Sequence, residues 1–398
     1  MAADVLSSQG LRVTVHDRMP SLARKFLMAG RGGLNLTHSE ILPIFKTRYG
    51  AAQGFLSDIL EGFPPEAVMA WSQALGQPVF RGSSGRIFPR ALKASPLLRA
   101  WLARLQVQGV TFRSRSTWQG WDPDGNLVFQ DALGHQETAR PAATVLALGG
   151  ASWGRLGSDG TWAEILLGKG LTLTPFAPSN CGFGVAWTDE IRSRFAGQPL
   201  KAIAFSFAGQ TLKGEAMITD DGIEGGAIYA LSPQLRAALQ AGQDTVVTID
   251  LRPDVPLDAI CARLSHSRPG QSLSNRLRKA LGFSPLETAL VREMAGNIPL
   301  SVPEALASLI KAVPVRLTGT ADMSRAISTA GGLALQELDE GLMIQKCPGV
   351  WAVGEMLDWE APTGGYLLQA CLATGAHAGR AILAHLNPAG LPTKSSPA

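Results

Sequence analysis

Residues 349–379 contain the side chains best placed for cofactor chemistry. An apolar run ends at Gly354-Glu355, and eight residues later Thr363-Gly364-Gly365-Tyr366 opens a long helical pattern. The free N–H groups and positive dipole end at a helix start favour negative charge, and a carboxylate at a strand end can accept hydrogen bonds from sugar hydroxyls. We therefore predict a cofactor site here. An ordinary loop before a capped helix is the alternative.

A second candidate is an acidic residue near the amino terminus. Residues 11–16 alternate apolar and polar side chains, which predicts a strand, and Asp17 follows it. In a dinucleotide-binding βαβ unit, such a residue binds a ribose about 20 residues after a GxGxxG loop. That count passes Met1, so we expect the first strand and the phosphate loop to be absent. Asp17 also fits a simple turn residue.

Two glycine-containing segments could pass close to a ligand. The basic pair Arg24-Lys25 precedes Gly30, Gly32 and Gly33. Glycines there would allow positive φ and an anion-binding nest of N–H groups, with Lys25 adding charge opposite a pyrophosphate. A flexible surface turn is the alternative.

The second segment is Gly149-Gly150, at the end of an apolar strand predicted for residues 143–148. Glycines at this point would let the backbone pass under a flat cofactor. Taken alone this signal is weak, because many α/β strands end in glycine.

Thiol and metal chemistry find little support. The four cysteines (Cys181, Cys261, Cys347 and Cys371) form no CxxC pair, which argues against zinc ribbons and disulfide scaffolds and favours a reducing cytoplasm. His38 is the only histidine in a predicted cofactor loop. We assign no metal ligand and no catalytic residue.

Composition and charge narrow the class of protein further. The 398 residues are 45% apolar and 17% charged, which excludes intrinsic disorder, and no apolar run of about 18 residues predicts a membrane helix. Residues 81–121 contain eight basic residues and no acidic one. This stretch could steer an anion or a nucleic acid. We find no RNA-binding signature of interleaved stacking aromatics, and expect local charge near a phosphate-bearing cofactor rather than a nucleic-acid partner.

The element pattern predicts an α/β protein with a discontinuous first domain. Residues 1–171 and 314–398 show α/β character, with a helical stretch up to about residue 108, strands at 110–121, 127–130, 143–148 and 350–354, and a helix at 365–386. Residues 172–252 show short alternating segments typical of antiparallel strands, and 253–313 show helical spacing. The tail from Pro388 is predicted to be disordered.

Five segments in this order resemble the bacterial YhiN-type flavoproteins, which include NAD(P)/FAD-dependent oxidoreductases and aminoacetone oxidase-like enzymes. The segments are RKFLMAGRGGLNLTH (24–38), GRIFPRALKAS (85–95), LALGGASWGRLGSDG (146–160), DGIEGGAIYALS (221–232) and GEMLDWEAPTGGYLLQ (354–369). The resemblance implies a Rossmann-like FAD domain related to glutathione reductase. It also implies an insert with a β-barrel-like part and a helical part.

The resemblance also implies roles for individual residues. Asp17 would bind the adenosine ribose, a backbone group near Trp118 the adenine, and Glu355 the ribityl chain. The residues that would line the pyrophosphate and flavin path are Arg18, Lys25, Gly30, Gly32, Gly33 and Asn35, and those beneath the flavin pyrimidine are Gly364, Gly365 and Tyr366. The family's GxGxxG is missing, and Leu34 replaces the cysteine of its GGGRCN loop.

These inferences predict an FAD-dependent oxidoreductase. Hydride would pass between a small organic substrate and flavin, with NAD(P)H as the candidate transient co-substrate. Two alternatives remain: a truncated, non-catalytic flavoprotein, and an RNA-modifying flavoprotein served by the basic stretch at 81–121, which would bind RNA with a steep salt dependence.

Overall fold

The computed structural model describes residues 1–29, 32–266 and 270–387, and the chain divides into two units. The first unit comprises residues 1–177 together with the chain from Ser328 onward, and the second comprises residues 178–327. The sequence predicted an insert over residues 172–313, so both of its predicted limits lie earlier in the chain than those of the second unit. Gly30 and the tail from Pro388 lie outside the described residues.

The first unit alternates helices with short strands. Its helices are α1 (Ala2–Ser8), α2 (Arg24–Ala29), α3 (Leu42–Thr47), α4 (Gln53–Gly62), α5 (Pro65–Ala74), α6 (Ala94–Val107), α7 (Trp162–Gly168) and α14 (Tyr366–Leu386). Its strands are β1 (Thr14–Asp17), β2 (Thr37–His38), β3 (Val79–Arg81), β4 (Arg86–Pro89), β5 (Thr111–Ser114), β6 (Thr117–Trp121), β7 (Leu127–Gln130), β8 (Gln136–Ala139), β9 (Thr144–Leu146), β10 (Leu173–Ser179, ending in the second unit), β18 (Ser328–Leu333) and β19 (Val350–Ala352).

Two parallel strand pairs set the position of the candidate site. Strand β1 pairs with β5, with Thr14 opposite Thr111, and β9 pairs with β19, with Thr144 opposite Val350. Parallel strands end at the same edge of a sheet, so the segments after β9 and β19 leave together. These segments contain Gly149-Gly150 and Gly354-Glu355.

Helix α14 is the longest helix of the described chain, and its start at Tyr366 agrees with the predicted helix at 365–386. Small residues on α14 let α1 approach closely, since a Cβ placed on Gly379 would lie 2.9 Å from the Cβ of Val5. Apolar residues of both helices belong to one buried core with Leu146, Trp351 and other residues around β9 and β19. This packing fixes the start of α14.

Some predicted elements differ from the structure. The helical stretch up to residue 108 is interrupted by the β3–β4 hairpin, and the strand predicted at 110–121 is two strands that break at Arg115-Ser116. Arg115 has a φ of +55°, which ends β5 and turns the chain into β6. Strand β8 is additional, and completes an antiparallel β6-β7-β8 sheet.

The second unit is built on a seven-stranded sheet in the order β16-β15-β12-β13-β14-β11-β17, and every pairing in it is antiparallel. The strands are β11 (Phe183–Gly184), β12 (Pro199–Phe207), β13 (Gln210–Ile218), β14 (Gly222–Glu224), β15 (Val246–Asp250), β16 (Val313–Arg316) and β17 (Gly319–Thr320). The helices are α8 (Asp189–Phe195), α9 (Gly226–Gln240), α10 (Leu257–Ser265), α11 (Leu273–Leu281), α12 (Pro285–Glu293) and α13 (Pro303–Lys311).

The second unit follows the predicted change from strands to helices, with one addition. Pro285 and Pro303 each occupy the first position of a helix, where the missing N–H has no cost. Helix α9 was not predicted within the strand-rich stretch, because its sequence contains Gly226 at the start and Pro233 inside. Its apolar face packs on the buried side of the sheet through Ile228, Leu231 and other core residues.

Candidate functional site

Asp17 closes β1 and holds the turn that follows. Its Oδ1 accepts a hydrogen bond from the N–H of Met19 at 2.8 Å, and its Oδ2 accepts one from the N–H of Ala23 at 3.3 Å. In these two contacts Asp17 acts as a turn residue, which was one of the two interpretations of its sequence position. Each carboxylate oxygen can accept more than one hydrogen bond, so the turn leaves acceptor capacity for a further donor.

Trp118 lies next to this turn. The N–H of Ser116 donates to the carbonyl oxygen of Asp17 at 3.1 Å, which brings the start of β6 to the end of β1. The Trp118 ring packs edge-on against Trp121, with centroids 4.9 Å apart. Its Nε1 is buried and has no hydrogen-bond partner among the described residues. A buried indole N–H normally finds an acceptor.

Lys25 and Glu355 form an ion pair at the ends of β9 and β19. The Lys25 Nζ lies 2.5 Å from Glu355 Oε2, 3.0 Å from Ser152 Oγ and 3.3 Å from Ser158 Oγ. Glu355 is 7% exposed, so its charge is stabilised mainly by this contact and by hydrogen bonds. The ion pair joins α2 to the segment after β19.

Thr329 is a site residue that the sequence analysis missed. Its Oγ1 accepts hydrogen bonds from the N–H groups of Ala151 and Ser152 at 2.8 and 3.1 Å, and its own N–H donates to Glu355 Oε1 at 3.1 Å. A Cβ placed on Gly150 would lie 2.3 Å from Thr329 Oγ1, so only glycine fits there. The Gly331-Gly332 pair after Thr329 repeats the pattern of Gly149-Gly150 and could have indicated it.

Arg18 connects the Asp17 turn to the loop at 149–160. Its Nη1 lies 2.5 Å from Asp159 Oδ2. A Cβ on Gly157, whose φ is +98°, would lie 2.8 Å from Met19 Cγ. The ion pairs of Arg18 and Lys25 thus link the Asp17 turn at the end of β1 to the loop after β9 and to Glu355 after β19.

The glycine-rich loop differs from the predicted nest. Gly33 has a φ of +106° and lies against the Phe88 ring, but Gly32 is exposed and is not among the residues with positive φ. Of the two described glycines in this loop, Gly33 therefore uses the positive φ that glycine allows. The N–H of Leu36 donates to the carbonyl oxygen of Ile87 at 2.9 Å, which holds the end of the loop against β4. Asn35 Oδ1 is buried and has no partner among the described residues.

The start of α14 packs directly on β2. Gly364 and Gly365 have φ values of +125° and +101°, and a Cβ on Gly365 would lie 2.6 Å from the Cα of Thr37. A Cβ placed on Gly364 would lie 3.6 Å from Arg86 Nε. Thr37 is fully buried, and its Oγ1 has no partner within the described chain. A helix start, a nearby guanidinium and an unpaired hydroxyl thus lie together.

Tyr366 is held by an ion pair that the sequence did not indicate. Its OH donates to Glu40 Oε2 at 2.8 Å, and Arg48 Nε donates to the same oxygen at 2.9 Å. Burial and the Glu40 carboxylate raise the Tyr366 pKa well above its ordinary value, so the phenol stays protonated at neutral pH. Conversely, the hydrogen bond from Arg48 lowers the Glu40 pKa.

His38 stacks on Tyr366, with ring centroids 5.4 Å apart. Its Nδ1 lies 3.1 Å from the N–H of Glu40, and its Nε2 lies 2.9 Å from the carbonyl oxygen of Ser84. Nδ1 therefore accepts and Nε2 donates, which defines the neutral tautomer. Both ring nitrogens bind backbone, so His38 has a structural role in this conformation.

Cys371 on α14 lies beside Gly354 and near Glu355. Burial and nearby Glu355 raise the pKa of the Cys371 thiol to about 12, which leaves almost no thiolate at neutral pH. Among the described residues, no group of three His, Cys, Asp or Glu side chains could hold a metal ion. No helix in the described part of the chain is long and apolar enough to span a membrane.

Comparison with known families gives a match along almost the entire chain. The family model described as "HI0933-like protein Rossmann domain" matches residues 1–381. The chain belongs to this family. The resemblance to YhiN-type flavoproteins is thereby confirmed, and so is the α/β fold with a Rossmann-type FAD-binding domain. Members of this family are flavin-dependent oxidoreductases.

Two relatives cover nearly the same length. The chain is 25% identical over 387 residues to the 3-dehydro-bile acid delta(4,6)-reductase of Clostridium scindens, covering 93% of this chain and 92% of that protein. It is 26% identical over 381 residues to the ribosomal RNA dihydrouridine synthase of Escherichia coli, with the same shares covered.

The crystal structure of 3-ketosteroid delta1-dehydrogenase from Sterolibacterium denitrificans has a similar fold, with a TM-score of 0.53, 11% identity, and 96% and 97% of the two chains covered.

Proposed function

We propose that the first unit binds FAD and that the protein is an FAD-dependent oxidoreductase. The observation that carries the proposal is the buried Glu355 carboxylate at the joined ends of β9 and β19, facing Lys25 and Thr329. In open α/β sheets, ligands bind outside the carboxyl ends of the strands. Glu355 and Lys25 would hold the ribityl and pyrophosphate part of the cofactor.

Buried polar atoms in the segments predicted to line the cofactor fit such a group. Asn35 Oδ1, Thr37 Oγ1 and Trp118 Nε1 are buried without a partner in the described chain, which costs free energy unless a ligand or water pairs with them. Gly150 and Gly365 let the backbone pack closely on Thr329 and Thr37, where any side chain would collide. In this proposal Trp118 and Asp17 lie at the adenosine end, and Gly364, Gly365 and Tyr366 at the flavin pyrimidine.

The proposed reaction is reduction of a carbon–carbon double bond conjugated to a carbonyl group. Bound FAD supplies hydride transfer at its N5. The bile acid relative is named for the reduction of such a system, and dihydrouridine synthesis saturates the uracil double bond beside a carbonyl. Each reduction adds a hydride to one carbon and a proton to the next, and NAD(P)H is the proposed source of the electrons.

The residues at the start of α14 would suit this reaction because reduced flavin carries negative charge on its pyrimidine ring, which we place here. Arg86 lies beside Gly364 and makes no ion pair with another described residue. The helix dipole adds positive potential at the same point. In the proposal these groups stabilise the developing charge, while Glu40 holds the Tyr366 phenol in place.

RNA is the second candidate substrate. The basic residues at 81–121 favour it, because Arg104 alone among the eight forms an ion pair with a described residue. The other seven leave a net positive charge that a polyanion can neutralise.

The test begins with the purified chain reconstituted with FAD. We expect flavin absorption to remain after gel filtration and to bleach anaerobically on addition of NADH or NADPH. Reoxidation by a 3-oxo-delta(4,6) bile acid or by uridine-containing RNA then distinguishes the substrates. A chain that retains no flavin would favour the non-catalytic alternative and contradict the proposal.

A further inference from the structure

The three-stranded sheet β2-β4-β3 places several aromatic and cationic side chains on one face. His38 is directly opposite Arg86, and Phe80 is directly opposite Phe88. Residues opposite each other in antiparallel strands share a face, and so do residues two apart on one strand. His38, Arg86, Phe88 and Phe80 therefore follow one another across the same face.

This row begins at the proposed flavin site and ends in solvent. Tyr366 at the start of α14 stacks on His38, and at the other end the rings of Phe80 and Phe88 stack with centroids 5.6 Å apart and planes at 23°. Phe80 is 37% exposed. We call Tyr366, His38, Arg86, Phe88 and Phe80 the aromatic strip.

Glycines shape the strip around Phe88. A Cβ placed on Gly82 would lie 3.1 Å from the Phe88 ring, and one on Gly33 would lie 3.4 Å from it. Larger residues at these positions would press on the ring and cover it. Leu92, which is 45% exposed, lies beside Gly33 and extends the apolar surface.

Unpaired cations border the exposed end of the strip. Arg81 is the last residue of the edge strand β3, where it pairs with Ile87 on the opposite face from Phe80, and Arg90 directly follows β4. Both are exposed and form no ion pair with any residue that the structure describes. The nearest acidic residue after Arg81 in sequence is Asp122. The basic stretch at 81–121 shows no RNA-binding signature of interleaved stacking aromatics in its sequence. The structure nevertheless shows a stacked pair, because Phe88 within the stretch stacks on Phe80, the residue directly before Arg81.

We propose that the aromatic strip binds single-stranded RNA, with a base stacked on Phe80 and phosphates held by Arg81 and Arg90. Stacking rings beside unpaired cations are the combination that binds single strands, since every base has a π-face and every phosphate a charge. Several cations fit a polyanion better than a bile acid with one carboxylate. The inference rests on the proposed function, and on RNA as its substrate, because the strip leads to the proposed flavin pyrimidine site.

The experiment measures fluorescence anisotropy of a fluorescein-labelled 12-nucleotide oligouridylate with the FAD-reconstituted full chain. We expect Phe80→Ala to weaken binding about tenfold, as loss of a stacking ring does in other single-strand-binding proteins. Phe80→Leu keeps apolar volume without a ring, and should weaken binding similarly. The double variant Arg81→Gln, Arg90→Gln should lower the slope of log affinity against log salt by about 1.4, or about 0.7 for each phosphate contact.

Matched controls lie on the same unit. Leu133 is an apolar residue with 81% exposure in the β7–β8 turn, and Arg140 is an exposed arginine that follows β8. Leu133→Ala and Arg140→Gln should leave oligouridylate affinity within twofold. Equal losses in controls and strip variants would overturn the proposal, because they would indicate non-specific binding.

Three further outcomes separate this proposal from the proposed function. If flavin absorption is retained but Phe80→Ala leaves RNA affinity unchanged, the strip proposal is wrong and the flavoenzyme proposal stands. The strip proposal is also overturned if Phe80→Ala weakens the binding of a 3-oxo bile acid and leaves RNA affinity unchanged. A chain without flavin whose RNA affinity still falls with Phe80→Ala would support the strip and contradict the proposed function.

Discussion

Glu355 has different partners on its two carboxylate oxygens. Oε2 contacts the Lys25 ammonium at 2.5 Å, and Oε1 accepts the Thr329 N–H at 3.1 Å. Hydrogen bonds to buried charged groups contribute about 1.5–3 kcal/mol each to stability. The arrangement therefore keeps a charge at the strand ends that would otherwise be costly to bury, and directs it toward the proposed ribityl position.

Glu355→Gln should weaken FAD binding about tenfold and lower the free energy of unfolding by about 2 kcal/mol, because Lys25 loses its counter-charge. FAD titration followed by protein fluorescence, and urea unfolding, measure the two effects. Glu337→Gln is the control, since Glu337 is also buried and pairs with a lysine, Lys346, at 3.0 Å. It should reduce stability but leave FAD affinity unchanged. Equal effects on FAD affinity would contradict the assigned role of Glu355.

Glu40 gives a pH-dependent prediction. The hydrogen bond from Arg48 lowers its pKa below the ordinary value of 4.5. A carboxyl with a depressed folded-state pKa stabilises the fold above its unfolded pKa, and this contribution is lost as pH falls through the folded pKa. Between about pH 5 and pH 3, the free energy of unfolding should therefore fall more in the parent protein than in Glu40→Gln.

Urea unfolding at several pH values measures the Glu40 effect. Arg48→Gln should flatten the acid-side fall in the same way, and the double variant should add little, because both changes remove one interaction. Additive effects of Glu40→Gln and Arg48→Gln would show that the pair is not the origin of the acid-side stability.

At the level of elements, the start of α14 depends on glycine. Gly365 has a φ of +101° and a Cβ there would lie 2.6 Å from the Thr37 backbone. Gly365→Ala should lower the free energy of unfolding by about 3 kcal/mol, from backbone strain plus a collision with β2. Gly349→Ala, at a φ of +81° with nothing within 4 Å, isolates the strain and should cost about 1 kcal/mol. Equal losses on urea unfolding would mean that β2 yields to the added methyl group.

Elements with clear periodicity were predictable, and short ones were not. The residues of α14 show sustained helical spacing, and its bounds nearly match the prediction. The β3 and β4 strands have three and four residues in a stretch of helical composition. Strand β4 also pairs with β2, which comes from the earlier segment containing Thr37. No local pattern encodes such a contact.

The same reasoning explains which parts of the candidate site were missed. Glu355 and Lys25 were identified separately, from a strand end and from a basic pair. They are 330 positions apart in sequence, so no local pattern indicated their contact. Thr329 and Glu40 lie in no recognised motif, and Arg86 lies in the segment GRIFPRALKAS without a role assigned from the sequence, so only the fold gives these residues their neighbours. Sequence patterns therefore predicted which segments surround the candidate site, whereas the network within it required the structure.

At the level of the whole molecule, ligand binding should stabilise the fold. A ligand that binds only the folded state at 100 times its Kd adds about 2.7 kcal/mol to the free energy of unfolding. With FAD in this excess, hydrogen exchange should slow in the loop at 149–160 and at the start of α14. Residues 257–265 of the helical region in the second unit are the internal reference. Protection confined to that reference would contradict the site proposed in the first unit.

The most direct measurement is the absorption spectrum of the purified full chain after incubation with excess FAD and removal of free cofactor. We expect flavin bands in near-stoichiometric amount, and a much smaller amount for Glu355→Gln prepared in parallel. A folded, monodisperse protein that retains no flavin at any FAD concentration tested would contradict the central claim that this chain is a flavoenzyme.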